Sequence, residues 1–246
     1  MLNRTTNRRG FLKSSALAGA GYWMATSSLA APTRSLQEKL NIGVIGVHSR
    51  GAANAEAVAS ENIVALCDVD ERYLGEAAEK YPRAQTYIDW RRMLDQPDLD
   101  AVIVSTTEHT HAPASLQAMQ RGKHVYCEKP LAHTVEEARR MREVSKQMQV
   151  ATQMGTQIHA TENYRRVVEL IRSGAIGPVR EVHCWVEQGI EGPRSRPQDS
   201  VPVPEKFHWD LWLGPAPSRP YHPCYFEKRS LSWQNWWDFG NGAVGD

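Results

Sequence analysis

From Leu40 onward the chain alternates short apolar runs with amphipathic stretches. Leu40-Asn-Ile-Gly-Val-Ile reads as a buried strand, Gly46 as a turn, and residues 51–59 as an Ala-rich helix. Residues 62–68 repeat the apolar run and precede a helix over 71–80, and residues 99–105 form a third run followed by a helix over 112–121. A fourth strand starts at His124 and runs through Glu128-Lys129-Pro130 into a helix start, and a short strand covers 150–154. Runs of four to eight apolar residues alternating with helical patterns across short loops predict βαβ units, hence a doubly wound parallel sheet over residues 40–155. Beyond it, residues 162–173 place Val167, Val168, Leu170 and Ile171 on one helical face and end at Gly174. Prolines and glycines then interrupt the pattern, and five of the 8 tryptophans fall between Trp209 and Trp237.

Chemistry concentrates where these strands end, which is where open α/β sheets hold ligands. The first strand and helix are joined by Gly46-Val-His-Ser-Arg-Gly51, the layout of a dinucleotide-binding turn with His48 in place of the middle glycine. A Cβ and an imidazole at that position crowd the phosphate approach. The second strand ends on Asp68, 22 residues after Gly46, near the spacing of the carboxylate that binds the adenosine ribose. Asp68 therefore favours NAD. Arg72 keeps NADP open, and Asp68 or Asp70 has an alternative use as the cap of the helix over 71–80. The third strand is followed by Ser105, Thr106, Thr107, Glu108, His109, Thr110 and His111, and the fourth places Lys129 at its carboxyl end. Gln157 and His159 stand at the exit from the parallel sheet and are expected to face the cleft.

With Gly46, Gly51, Asp68, Ser105-Thr106, His109, His111 and Glu128-Lys129-Pro130 in this order, the chain resembles the glucose-fructose oxidoreductase, inositol dehydrogenase and rhizopine-catabolism (Gfo/Idh/MocA) family, in its exported bacterial form. The resemblance implies a Rossmann domain that holds NAD or NADP. It assigns the cofactor to Gly46, His48, Ser49, Arg50, Gly51, Asp68, Ser105, Thr106, His109, Glu128 and Lys129. It also implies that Lys129 contacts the reacting hydroxyl and the nicotinamide, that sugars or polyols are substrates, and that Trp237 belongs to the substrate wall. Two departures are His48, where the family has glycine, and Thr107, where it often has proline. Residues 156–246 are expected to form an incomplete α+β open-sheet domain. Family members continue into a segment whose His and Asp supply the base, so the chain to Asp246 is expected to bind NAD, show no turnover and self-associate. Two competitors stay open: an NAD-dependent glycosidase that oxidises C3 transiently, and a non-catalytic sugar-binding or assembly protein.

The amino terminus adds an address. Arg8-Arg9 precedes the uncharged, small-residue stretch 14–31, which reads as a twin-arginine export signal over residues 1–30 and a periplasmic or otherwise exported destination. Its five serines or threonines and two glycines argue against a membrane anchor. Net charge is +1 from 29 basic and 28 acidic residues without long runs of one sign, so no nucleic-acid or membrane footprint is expected. Cys67, Cys127, Cys184 and Cys224 lack metal-site spacing, and no metal is expected. The expected partners are a small-molecule sugar or polyol and, for a full-length chain, further copies of itself.

Overall fold

The computed structural model describes residues 38–157, 159, 161–185, 195–197, 199–226 and 232–245. The export signal read over residues 1–30 lies outside them. The described fold belongs to one unit, Lys39–Asp246.

Six strands alternate with helices: β1 (Asn41–Ile45), α1 (Arg50–Ala57), β2 (Asn62–Cys67), α2 (Glu71–Lys80), β3 (Gln85–Tyr87), α3 (Trp90–Met93), β4 (Ala101–Val104), α4 (Glu108–Gln120), β5 (His124–Glu128), α5 (Val135–Met148) and β6 (Thr152–Gly155). They form one sheet in the order β3-β2-β1-β4-β5-β6, and every pairing is parallel. This is the doubly wound Rossmann arrangement, whose strand order reverses direction between β1 and β4 and opens a crevice beyond their carboxyl ends. The central strands are apolar on both faces because helices cover both. Val102 and Val104 of β4 enter one core with Leu99, Ala118 and Met119, while Ile103 enters the other with Ile42, Val44 and Leu66.

Local signals set the helix ends. Asp70 caps α2 by accepting from the Arg72 amide, and Thr134 and Glu137 form a reciprocal capping box at α5. Helix α4 starts four residues before the expected Ala112. Thr107 provides an extended N-cap (φ −72°, ψ 149°), Glu108 lies in the first turn, and Pro113 sits inside the helix rather than at its start.

After β6 the described residues contain two helices, α6 (Glu162–Arg172) and α7 (Trp209–Leu213), and three short 3₁₀ turns. None of them is in a strand; Phe207 makes a single antiparallel bridge to Asp70. Val167, Leu170 and Ile171 of α6 are exposed and Val168 is half-buried, so the face read as structural is not part of a core among the described residues. Trp209, Trp212, Leu213, Tyr225, Trp233 and Phe239 instead form a third, aromatic core. This segment is fastened to the sheet's carboxyl edge. His208 N donates to Val69 O at 2.9 Å, Glu71 N to Lys206 O at 2.9 Å, and His109 N to Phe239 O at 3.3 Å.

Candidate active site and cofactor cleft

A cavity opens at the carboxyl ends of β1, β2 and β4, lined by Gly46, His48, Ser49, Arg50, Asp68, Ser105 and Thr106 from the sheet side. Phe207, Trp212, Tyr221, Phe226 and Trp233 of the carboxyl-terminal segment close it from outside. The two glycine positions of the turn beneath it have no room for a side chain. Gly46 adopts φ +82°, and a Cβ there would lie 2.5 Å from Ser105 O; a Cβ on Gly51 would lie 1.8 Å from Gly46 O. These are the demands of a turn that brings backbone close to a pyrophosphate and packs its helix on the strand. Gly46 N donates to Cys67 O and Ser105 N to Ile45 O, both at 2.8 Å, so the three strand ends share one frame.

Asp68 projects into this cavity. Its Oδ2 accepts from Val47 N and its Oδ1 from Asp70 N, both at 3.0 Å. Burial raises its pKa from the ordinary carboxylate value, opposed by those two amides and by His48. Each oxygen retains a lone pair for a ribose hydroxyl. The capping role falls to Asp70, which also holds the Arg72 guanidinium through Nε at 2.9 Å and Nη2 at 2.5 Å. A turn that only glycine fits, a carboxylate facing a cleft, and a cleft at the topological switch point fit a nicotinamide dinucleotide.

Lys129 and Glu128 do not line this cavity; they stand at the end of β5, the strand next to β4. Glu128 is buried and accepts from Asn54 Nδ2 at 2.8 Å, while the same amide reaches Ser105 Oγ at 2.9 Å. Its role is therefore to tie α1 to the ends of β4 and β5. Asn54 was not anticipated, although one asparagine among the alanines of an otherwise apolar helix face is a readable signal. Half-buried Lys129 acts electrostatically on Glu108, a buried carboxylate that accepts from Gln234 Nε2 at 2.9 Å and Asn241 N at 2.6 Å. Burial raises the Glu108 pKa, against those two donors and the charges of His133 and Lys129.

The histidines separate into different roles. His109, expected at the cofactor, is buried inside α4 and absent from the cavity lining. Its Nδ1 lies 3.2 Å from Phe239 O and its Nε2 3.0 Å from Trp212 O, and the ring packs on both aromatic side chains. Burial lowers its pKa to about 4 despite the two carbonyls, so it fastens the carboxyl-terminal segment rather than meeting a ligand. The helix begins at Glu108 and not at Ala112, and this rotates His109 away from the cleft. His111 bridges two strand-end loops, Nδ1 to Pro130 O at 2.7 Å and Nε2 to Thr106 O at 3.0 Å. Of the residues expected to face substrate, Gln157 places its side-chain amide against the Arg50 guanidinium. His159 is exposed, with Nε2 3.2 Å from the Tyr164 hydroxyl, and Trp237 is 77% exposed beside His133. None of the three lines the cavity. No cluster of potential metal ligands occurs among the described residues.

Comparison with known proteins agrees with this geometry. Residues 16–156 match the Gfo/Idh/MocA description "Oxidoreductase family, NAD-binding Rossmann fold", and residues 188–246 match its "C-terminal alpha/beta domain". The chain belongs to the Gfo/Idh/MocA oxidoreductase family. It is 29% identical to levoglucosan dehydrogenase of Pseudarthrobacter phenanthrenivorans over 58% of this chain and 39% of that protein. It is 28% identical to an alpha-N-acetylgalactosaminidase of Shewanella oneidensis over 70% of this chain and 44% of that protein. A probable dehydrogenase from Thermotoga maritima superposes with a TM-score of 0.52 at 33% identity, covering 56% of this chain and 42% of that one. The chain thus spans about two fifths of these relatives. Gfo/Idh/MocA membership and the cleft together identify NAD as its cofactor.

Proposed function

We propose that this oxidoreductase transfers a hydride between nicotinamide and a carbinol carbon of a sugar or polyol, with the Lys129 ammonium hydrogen-bonded to the reacting oxygen. The carrying observation is the pairing of a glycine-only turn and cleft-facing Asp68 with a lysine at the adjacent strand end. Bound NAD supplies the hydride acceptor. The chain's own residues do the rest. Gly46 makes the tight turn beneath the pyrophosphate and Gly51 lets α1 pack on β1, Asp68 accepts from ribose hydroxyls, and Glu128 with Asn54 fixes the frame between α1, β4 and β5. The Lys129 ammonium donates a hydrogen bond to the substrate oxygen and stabilises it as its proton passes to a separate base, the role the family resemblance gives to a histidine, while His111 holds the Pro130 carbonyl that follows it. The assignments of Gln157, His159 and Trp237 to substrate belong to this reading and require the cleft to extend past Arg50 and His133. Export through the twin-arginine route and self-association are part of the same proposal.

The relative from Shewanella oneidensis, matched across 70% of this chain, favours a second reading in which the hydride is returned and a glycosidic bond is cleaved. One experiment separates the two. The NAD-loaded protein is incubated with polyols deuterated at the carbinol carbon and, in parallel, with p-nitrophenyl α-N-acetylgalactosaminide. Deuterium accumulating on the nicotinamide supports net dehydrogenation, and nitrophenol release without NADH accumulation supports the glycosidase. Neither signal across a broad panel, from a loaded protein that also carries the family's catalytic histidine, contradicts both.

A further inference from the structure

His48 occupies the position where this chain departs from the dinucleotide fingerprint, and its side chain has a defined place. The imidazole is exposed on the cavity lining. It does not fold back over the turn. It stacks on the ring of Tyr73 in α2, with centroids 3.7 Å apart and planes inclined by 11°, and the Arg72 guanidinium lies 5.6 Å from the same tyrosine centroid. The stack stands next to Asp68, whose carboxylate the imidazole stabilises. Ser49, the next residue, holds φ 51° and ψ −109°.

A Cβ at position 48 removes the close backbone approach that glycine gives to the pyrophosphate. The same substitution places a hydrogen-bonding ring at the rim of the adenosine half of the cleft. We propose that His48, immobilised on Tyr73, is a direct hydrogen-bond ligand of the adenosine-side phosphate of the dinucleotide and replaces the missing backbone contact. This rests on the NAD reading above. An imidazole carries at least one N–H donor in any protonation state, and bonds from such donors to an ionised phosphate are among the stronger ones. Stacking reduces the rotamer freedom the ring loses on binding. Tyr73 is thus a positioning residue for His48.

The test is calorimetric titration of NAD and of ADP-ribose into the parent, His48→Ala, Tyr73→Leu and the double variant, with thermal melts of each. Alanine keeps the Cβ and removes only the ring. His48→Ala is expected to weaken both ligands about tenfold, at an unchanged melting temperature. Tyr73→Leu should weaken them by no more than that, and the double variant should add little, as expected for two side chains acting as one unit. His48→Ala binding NAD as tightly as the parent overturns the proposal, as does a loss for NAD that is absent for ADP-ribose. A parent that does not bind NAD removes the functional reading and this inference with it.

Discussion

Gly51→Ala is expected to abolish measurable NAD binding and to destabilise the folded protein by about 3 kcal/mol, the upper range for overpacking a tight contact. The added Cβ would lie 1.8 Å from Gly46 O and 2.7 Å from Gly46 C, and both obstacles are backbone atoms of the turn that must cradle the pyrophosphate. Relief requires α1 to move off β1. For a domain of this size the melting temperature should fall by roughly 6–12 °C. Gly75→Ala is the matched control. That glycine is exposed in α2 with nothing within 4 Å of the added carbon, so the change should leave binding alone and stabilise slightly. Circular dichroism melts and NAD titrations of both variants decide the matter. A Gly51→Ala protein with parental melting and affinity would mean that the turn relaxes freely, and that the glycine has no role in the cleft.

The parallel sheet was legible because its determinants are local. The central strands β1, β2, β4 and β5 bury themselves within a few residues, and the loops after β1, β2 and β5 carry glycine, aspartate or proline next to the apolar run they end. Strand β3 was not read, because Gln85–Tyr87 is three residues long and has no buried side chain. The site was legible in halves. Gly46 and Asp68 follow from sequence spacing and share one cavity, and Gly51 packs the end of its turn against Gly46. The outer wall does not follow from spacing, since Phe207, Tyr221 and Phe226 reach the cavity from more than a hundred residues away. Likewise the Glu108 carboxylate meets Asn241 N across 133 positions, a pairing that no periodicity encodes. His109 shows the opposite error. An imidazole just after a strand reads as a ligand, but one early turn of helix sends it into the aromatic core, where Phe239 and Trp212 surround it.

In an enzyme form that turns over, Lys129→Met should lower turnover by about 10² or more, the scale of a positioned proton-handling group. NAD affinity should change by no more than a few fold, because Lys129 lies outside the cavity that Asp68 and the glycine turn line. Methionine preserves the length of the side chain and much of its apolar stem, so the cost falls on the charge. Glu108 sharpens the expectation. The Lys129 charge favours its ionised form against burial, so losing the ammonium should leave that buried carboxylate easier to protonate. Parallel measurement of turnover and of NAD affinity separates a chemical role from a binding role. A Lys129→Met protein with full turnover would remove the lysine from the mechanism.

The most direct measurement is the small molecule that the purified protein carries, released by mild acid and identified by mass, combined with NAD titration of the parent and Asp68→Ala. One nicotinamide dinucleotide per chain is expected, or saturable one-to-one binding after its removal. Asp68→Ala should weaken that binding at least tenfold, since it deletes a charged acceptor for the ribose hydroxyls. A parent that binds no NAD, or an Asp68→Ala protein that binds it as tightly as the parent, would contradict the cleft assigned here.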